Sequence, residues 1–382
     1  MSEQFDIIAS TTFGMEYVVK KEAEKLGFSN IEVSNGRVQF KGGFKDIARA
    51  NIYLRSAERV YLLVGEFRAT DFDALYEKTK DLNWSELMPK SAKFPVNGST
   101  VKSELHSVST CQSIIKKAVV DNMKNSYHKD WFKEDGPKYH IKFTLYKDTV
   151  SLMLDTSGDG LHKRGYRDLS TTAPLQETIA AGMIYLSRWN KERILMDPFC
   201  GSGTIPIEAA MIAKNQAPGL YRHFAAERWP IFPVSAWNEV KRKARSEVKE
   251  VNPRLIMGTD IDENVVGIAR HHAEKAGVDD IIHFQQKPFS DFSSSRKYGY
   301  VIANPPYGER SGEKEEVKKL YKNMGEKFKK LATWSFYILT TDQNFENLYG
   351  KKASKRRKLY NGGLECQFYQ YYGPWPSSDE DQ

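Results

Sequence analysis

From about residue 190 onward the chain alternates short, nearly uninterrupted apolar runs with stretches of helical period. Arg193 to Met196 precedes Ile205 to Lys214, Leu255 to Met257 precedes Asn264 to Ala276, and further apolar runs follow at Ile281 to Phe284 and Tyr300 to Ala303. Strands buried on both faces read this way, and their alternation with helices predicts a parallel, doubly wound sheet. Each run ends in a loop holding Asp, Asn or Gly. In such sheets the ligand lies beyond the carboxyl ends of the strands. A strand over Trp334 to Thr340 comes next, and then two β-prone runs, Lys355 to Tyr360 and Glu365 to Tyr372, flank Asn361-Gly362-Gly363. Asn and Gly tolerate positive φ, so this stretch is expected to form an antiparallel hairpin.

The first half reads differently. Strands are expected at Phe5 to Ala9, Arg37 to Phe40 and Arg59 to Phe67, with helices at Met15 to Leu26 and Phe44 to Ile52. A second group has helices at Phe72 to Leu82 and Gln112 to Asn125, and strands at Ser99 to Glu104, His140 to Tyr146 and Thr149 to Asp155. These make two small α+β units, and a linker punctuated by Gly158, Gly160 and Gly165 sets them apart from the parallel half. With 382 residues, 40% of them hydrophobic, the chain is long enough for two or three cores.

The start, Met1 to Asp6, has neither the basic nor the apolar region of a leader, and the longest apolar stretch, near Ile179 to Leu186, is too short to span a bilayer. Cys111, Cys200 and Cys366 are widely spaced and form no CxxC pair. That pattern suggests no disulfide framework and no metal, and a cytoplasmic location away from membranes. Lys and Arg number 57 against 49 Asp and Glu, a net charge of +8. The excess is clustered at Lys116, Lys117, Lys124 and Lys129, at Lys241 to Arg245, and at Lys351 to Lys358. Such clusters fit a polyphosphate partner, although solvated helix faces produce the same runs.

Three motifs carry chemistry. Asp197-Pro198-Phe199-Cys200-Gly201-Ser202-Gly203-Thr204 falls where the first parallel strand turns into a helix. Glycines there let the backbone approach a ligand, and the helix start offers unpaired N–H groups. Pro206 takes the third glycine position of a dinucleotide fingerprint, and no Lys-Ser/Thr follows, so neither a dinucleotide site nor a P-loop is predicted. Gly258-Thr259-Asp260-Ile261-Asp262 ends the second strand, where a carboxylate can accept both ribose hydroxyls or cap the next helix. Asn304-Pro305-Pro306-Tyr307 follows the fourth. Its prolines fix the backbone, so the Asn304 side-chain oxygen and the Pro305 carbonyl can together accept the two hydrogens of an exocyclic amine, with Tyr307 as a stacking face. Cys200 reads as a small buried residue rather than a nucleophile.

The order DPFCGSGT, GTDID, NPPYGER resembles class I S-adenosylmethionine-dependent methyltransferases acting on exocyclic amines, a group in which DNA adenine enzymes share NPPY. Leu161 to Arg167, Ala173 to Leu175, Ile207 to Ala210 and Ala217 to Gly219 resemble more narrowly the branch carrying a THUMP RNA-binding domain. Thr12 to Glu16, Gly36 to Phe40 and Asn51 to Arg55 are similar to the ferredoxin-like segment that precedes THUMP in that branch. The resemblance spans nearly all of the chain and points to bacterial 23S rRNA guanine-N2 methyltransferases, in a form with a single methyltransferase unit. It implies an α/β chain with a ferredoxin-like domain over 1–66, a THUMP domain over 67–165 and a Rossmann-like catalytic domain over 166–382. The catalytic sheet would be seven-stranded and mostly parallel, ending in an antiparallel hairpin.

The resemblance also implies S-adenosylmethionine as cofactor, held by Thr172, Ala173, Pro174, Leu175, Asp197, Phe199, Gly201, Gly203, Thr204, Asp260, Ile261 and Asn304. The catalytic set would be Asn304, Pro305, Pro306 and Tyr307. Lys116, Lys117, Arg164 and Arg167 are candidates for RNA phosphate, the two arginines equally for a structural contact. The family's acidic residue after the third strand has no counterpart nearer than Asp291 in Gln285 to Asp291, which leaves adenine recognition to backbone groups. The expected partner is RNA, either 23S rRNA or a large-subunit precursor. A tRNA guanine-N2 enzyme and a non-catalytic assembly factor remain as alternatives, and DNA adenine methylation is disfavoured because THUMP-like residues have no use on duplex DNA.

Overall fold

The structure, a computed structural model, describes residues 4–169, 174–251, 255–308 and 313–376. Two compact units emerge. One comprises the chain through Thr11, then Lys20–Leu161 and Arg222–Lys243; the other comprises Thr12–Val19, His162–Tyr221 and the chain from Ala244 onward.

In the first unit, strands β1 (Phe5–Ser10), β2 (Ser29–Ser34), β3 (Arg37–Gly42), β4 (Arg59–Arg68), β5 (Val96–Val101), β6 (Ile141–Tyr146) and β7 (Thr149–Asp155) form one sheet. Its order is β2-β3-β1-β4-β7-β6-β5. The two α+β groups expected from the sequence therefore share a sheet. Strand β4 is the seam: at ten residues it is long enough to pair with β1 on one side and, from Tyr61↔Asp155 to Arg68↔Thr149, with β7 on the other. Helices α1 (Glu16–Lys25, of which only the part from Lys20 belongs to this unit), α2 (Phe44–Tyr53), α3 (Phe72–Lys80), α4 (Trp84–Leu87) and α5 (Val108–Tyr127) connect the strands. Helix α5 buries Cys111, Ile115, Val119 and Met123, the i, i+4 stripe of an amphipathic helix. Residues Arg222–Lys243 belong here through Trp229, which stacks on Tyr139 at 4.2 Å between ring centroids.

The second unit holds α6 (Glu177–Leu186), β8 (Leu195–Asp197), α7 (Thr204–Ala213), the end of α8 (Val234–Ser246), β9 (Ile256–Asp260), α9 (Glu263–Ala276), β10 (Ile282–Gln286), β11 (Tyr300–Ala303), α10 (Glu313–Lys329), β12 (Ser335–Thr340), α11 (Phe345–Tyr349), β13 (Lys355–Asn361) and β14 (Leu364–Tyr371). The sheet order is β10-β9-β8-β11-β12-β14-β13. The first five strands are parallel, and β14 and β13 add the expected antiparallel hairpin. Alternate residues of the buried strands serve opposite layers. Tyr300, Ile302, Tyr337 and Leu339 join one core with α6, α7 and α9, while Val301, Ala303, Phe336 and Ile338 join a second with α10. Each large apolar side chain so buried contributes roughly 1.5–3 kcal/mol, which is why short strands suffice. Among the described residues, no helix is long and apolar enough to cross a membrane.

Candidate active site

Strands β8 and β11 run side by side, Leu195 opposite Tyr300 and Met196 opposite Val301. Asp197 and Asn304 therefore leave the carboxyl ends of neighbouring strands at the place where the strand order reverses, the crevice in which open α/β sheets bind ligands. On the other flank of β8, Asp197 lies opposite Gly258, which brings Asp260 to the same edge.

The glycine loop is built on two left-handed residues, Gly201 at φ +50° and Gly203 at φ +86°. Their surroundings differ. A Cβ at 203 would lie 2.9 Å from the Phe284 ring and 3.0 Å from the Ala269 methyl, whereas one at 201 would meet nothing within 4 Å. Packing demands the first glycine, and the second borders open space. The Gly201 N–H donates to Asp260 Oδ2 at 3.0 Å, and the Asp262 N–H donates to Oδ1 at 3.2 Å. Asp262 starts α9 by accepting the Asn264 N–H at 2.8 Å. The two carboxylates of this motif thus divide the local hydrogen bonds: Asp262 caps the helix, and Asp260 ties the glycine loop to the end of β9. Ile261 beside it is 70% exposed.

Asp197 is only 2% exposed, and its Oδ1 accepts the Phe199 N–H at 3.1 Å. Burial, reinforced by the Asp260 charge, holds its carboxyl well above the usual range. A cation seated here would relieve that strain, so the site fits the ammonium end of an amino-acid-bearing nucleoside. Burial pushes the Cys200 thiol up as well, which keeps it protonated and unsuited to attack. Phe199 turns its ring to Phe289, 4.9 Å between centroids. The loop's far side is fixed by His272 on α9, a residue the sequence did not single out. Burial lowers its pKa, and the neutral ring faces the Ser202 carbonyl through Nδ1 at 3.2 Å.

Arg167 ties the start of α6 and the segment before it to the start of α7. Its guanidinium donates to the Leu175 carbonyl at 3.1 Å and to Thr204 Oγ1 at 2.5 Å, and pairs with Glu177 at 3.4 Å. Leu175 is buried and Pro174 half-buried beside it; Thr172 and Ala173 lie outside the described residues. Asp291 is exposed and bonded to Ser290.

After β11, Pro305 is buried and Pro306 exposed. The Tyr307 hydroxyl donates to Asn304 Oδ1 and lies 3.8 Å from Cys366 Sγ on β14. From beneath, the Tyr321 hydroxyl donates to the Pro306 carbonyl at 3.0 Å and meets Thr340 Oγ1 at 2.8 Å. Nothing in the sequence distinguished Tyr321 from an ordinary core residue of an amphipathic helix.

The basic candidates separate. Arg164 is buried, its guanidinium 3.2 Å and 3.4 Å from the Glu208 carboxylate, with the Tyr166 hydroxyl also on Glu208 at 3.3 Å. It is a core contact out of reach of a phosphate, because helix α7 brings Glu208 inward. Arg167 likewise spends its donors inside the unit. In the other unit, Lys116 is held by Glu134 at 2.8 Å and by the Phe94 carbonyl at 3.2 Å, its ammonium over the Phe94 ring. Lys117 lies 5.3 Å from the Tyr76 ring centroid.

Comparison with known proteins agrees with this geometry. Residues 164–370 match the RMKL-like methyltransferase domain, residues 6–61 the RlmL ferredoxin-like domain, and residues 69–155 the THUMP domain. The protein named "Putative RNA methyltransferase YpsC" from Bacillus subtilis strain 168 is 45% identical over 372 residues, covering 97% of this chain and 96% of its own. A solved structure from Listeria monocytogenes named as a predicted N6-adenine-specific DNA methylase is 45% identical, with a TM-score of 0.93 and 97% of each chain covered. SMU.472, a putative methyltransferase solved in complex with SAH, is 41% identical with a TM-score of 0.92, covering 99% of this chain and 100% of its own. The crevice between β8 and β11 thus sits in a chain that belongs to the RMKL-like methyltransferase family, with a ferredoxin-like and a THUMP domain preceding the catalytic one in sequence.

Proposed function

We propose that this chain transfers the methyl group of S-adenosylmethionine to the exocyclic N2 amine of a guanosine in 23S rRNA. The observation that carries the reading is the Asn304 amide oxygen, held at the end of β11 next to the strand that ends in Asp197. S-adenosylmethionine supplies, when bound, an electrophilic methyl group on a sulfonium. Asp197 would face its ammonium, Asp260 its ribose and Ile261 its adenine; the SAH bound by the SMU.472 relative supports this choice of cofactor.

The amine of a purine is a poor nucleophile because its lone pair is delocalised. Asn304 Oδ1 and the Pro305 carbonyl would accept its two hydrogens, which turns the lone pair toward the methyl carbon. As the N–C bond forms and the sulfonium C–S bond breaks, positive charge grows on nitrogen, and the same two oxygens stabilise it. The surplus proton leaves to solvent. Tyr307 would release Asn304 and stack on the extruded base.

The THUMP domain and the name of the YpsC relative favour RNA over the DNA in the Listeria relative's name. The test is methyl transfer from labelled cofactor to unmodified 23S rRNA fragments, tRNA transcripts and duplex DNA, followed by mass spectrometry of the nucleosides. N2-methylguanosine in 23S rRNA is the expected product. The same product confined to tRNA would replace the substrate, N6-methyladenosine would sink the guanine assignment, and transfer to DNA alone would sink the RNA assignment.

A further inference from the structure

Segment Thr12–Val19 belongs to the catalytic unit, although it lies far from the rest of that unit in sequence. It is seated on β13, the outer strand of the hairpin. A Cβ at Gly14 would stand 2.4 Å from the Lys358 carbonyl, so the backbones are in direct contact there. Met15 and Val18 point inward and share a core with Leu359, Cys366 and Phe368. Two aromatic neighbours in the same segment point outward: Phe13, just before Met15, is 50% exposed, and Tyr17, just before Val18, is 54% exposed.

These two rings are not isolated. Phe13 meets the Tyr360 ring edge-on at 6.1 Å, and the Arg357 guanidinium lies 5.9 Å from the Tyr17 ring. Lys358 lies 5.6 Å from the Tyr360 ring and pairs at the surface with Glu365 at 2.6 Å, Arg356 pairs with Glu346 at 3.2 Å, and Lys355 continues the same strand with an exposed side chain. The strip borders the catalytic loop. Leu359 pairs with Cys366, whose sulfur touches the Tyr307 hydroxyl, and Asn361 accepts the Gln176 N–H at 3.3 Å.

From this arrangement we infer that Phe13, Tyr17 and Tyr360, with the cations of β13, form a stacking platform for unpaired RNA nucleotides flanking the target base. The inference rests on the proposed RNA substrate and names where that RNA lies on the catalytic unit. Aromatic rings interleaved with Lys and Arg are the surface that single-stranded nucleic acid uses, the rings taking bases and the cations taking phosphates. Extruding a base costs least where the strand is already unpaired, and a platform beside the catalytic loop would hold the unpaired nucleotides on either side of it.

The test compares Phe13→Ala, Tyr17→Ala and the double variant with the intact full-length chain, using a 23S rRNA fragment that the wild type methylates. Each aromatic removed should raise KM for RNA about tenfold, while kcat at saturating RNA and cofactor affinity by calorimetry stay unchanged. Phe13→Trp should restore KM, and Phe13→Leu, apolar but not stacking, should not. An unchanged KM in the double variant, or equal rescue by Leu, overturns the platform while leaving the substrate reading intact. Absence of RNA methylation by the wild type overturns the substrate reading and the platform with it.

Discussion

The Tyr307 hydroxyl donates its hydrogen bond to the Asn304 amide oxygen, the atom that a target amine would need. If Asn304 receives the amine as proposed, the Tyr307 hydroxyl competes with it for that oxygen. Tyr307→Phe keeps the ring and removes the competitor. A net hydrogen bond is worth about 0.5–1.5 kcal/mol, so RNA KM is expected to fall roughly two- to tenfold with kcat retained. Asn304→Ala should instead lower kcat on the order of 10²–10³-fold. Steady-state kinetics with RNA separate the two; a Tyr307→Phe enzyme as slow as Asn304→Ala would show that the hydroxyl takes part in the chemistry.

Asp197 illustrates a site group held at the expense of stability. Its folded-state pKa is raised by burial and by Asp260, so the folded chain binds that proton more tightly than the unfolded chain does. Stability then falls as pH rises from the ordinary carboxylate value toward the raised one, and the cost of the buried charge persists above it. Asp197→Asn retains Oδ1 for the Phe199 N–H and carries no charge. It should melt higher than wild type at neutral pH, lose that advantage in acid, and bind S-adenosylmethionine at least about tenfold more weakly. Calorimetry across pH checks all three, and a lower melting temperature at neutral pH would contradict the account.

The two loop glycines should fail differently. Alanine at either position pays about 1–2 kcal/mol for the left-handed backbone. Gly203→Ala adds contact with Phe284 and Ala269, about 1–3 kcal/mol more, and should be read out chiefly in urea unfolding. Gly201→Ala should show only that backbone cost in unfolding yet lose cofactor binding, since its methyl enters open space.

Arg164 and Glu208 are both buried. Arg164→Met leaves the carboxylate without its main partner and should destabilise the chain by roughly 3–5 kcal/mol. Adding Glu208→Leu should recover much of that loss. Denaturant titration of the pair decides it, and a single variant as stable as wild type would show that the ion pair contributes nothing.

The parallel sheet and hairpin were legible because residues such as Tyr300 to Ala303 are apolar on both faces, and only a doubly covered strand tolerates that. Strand β2 was not legible. Its residues are mostly exposed, so burial left no alternation to read. Helix α10 was not among the expected elements, although Val317, Tyr321, Met324 and Phe328 recur there at helical spacing. The motif residues Asp197, Asp260 and Asn304 were visible through their places at strand ends. Arg164 was not assignable, since charge and spacing are the same for a phosphate contact and for a buried pair.

Sequence by itself determined the parallel sheet, the glycine loop and the carboxamide after the fourth strand, because local period and turn chemistry are written in neighbouring residues. Only the tertiary structure decided that Asp260 and Asp262 divide their duties, that Tyr307 occupies Asn304, and that β4 joins two expected units into one sheet. Each depends on groups that pair across space, where geometry rather than residue type selects the partner.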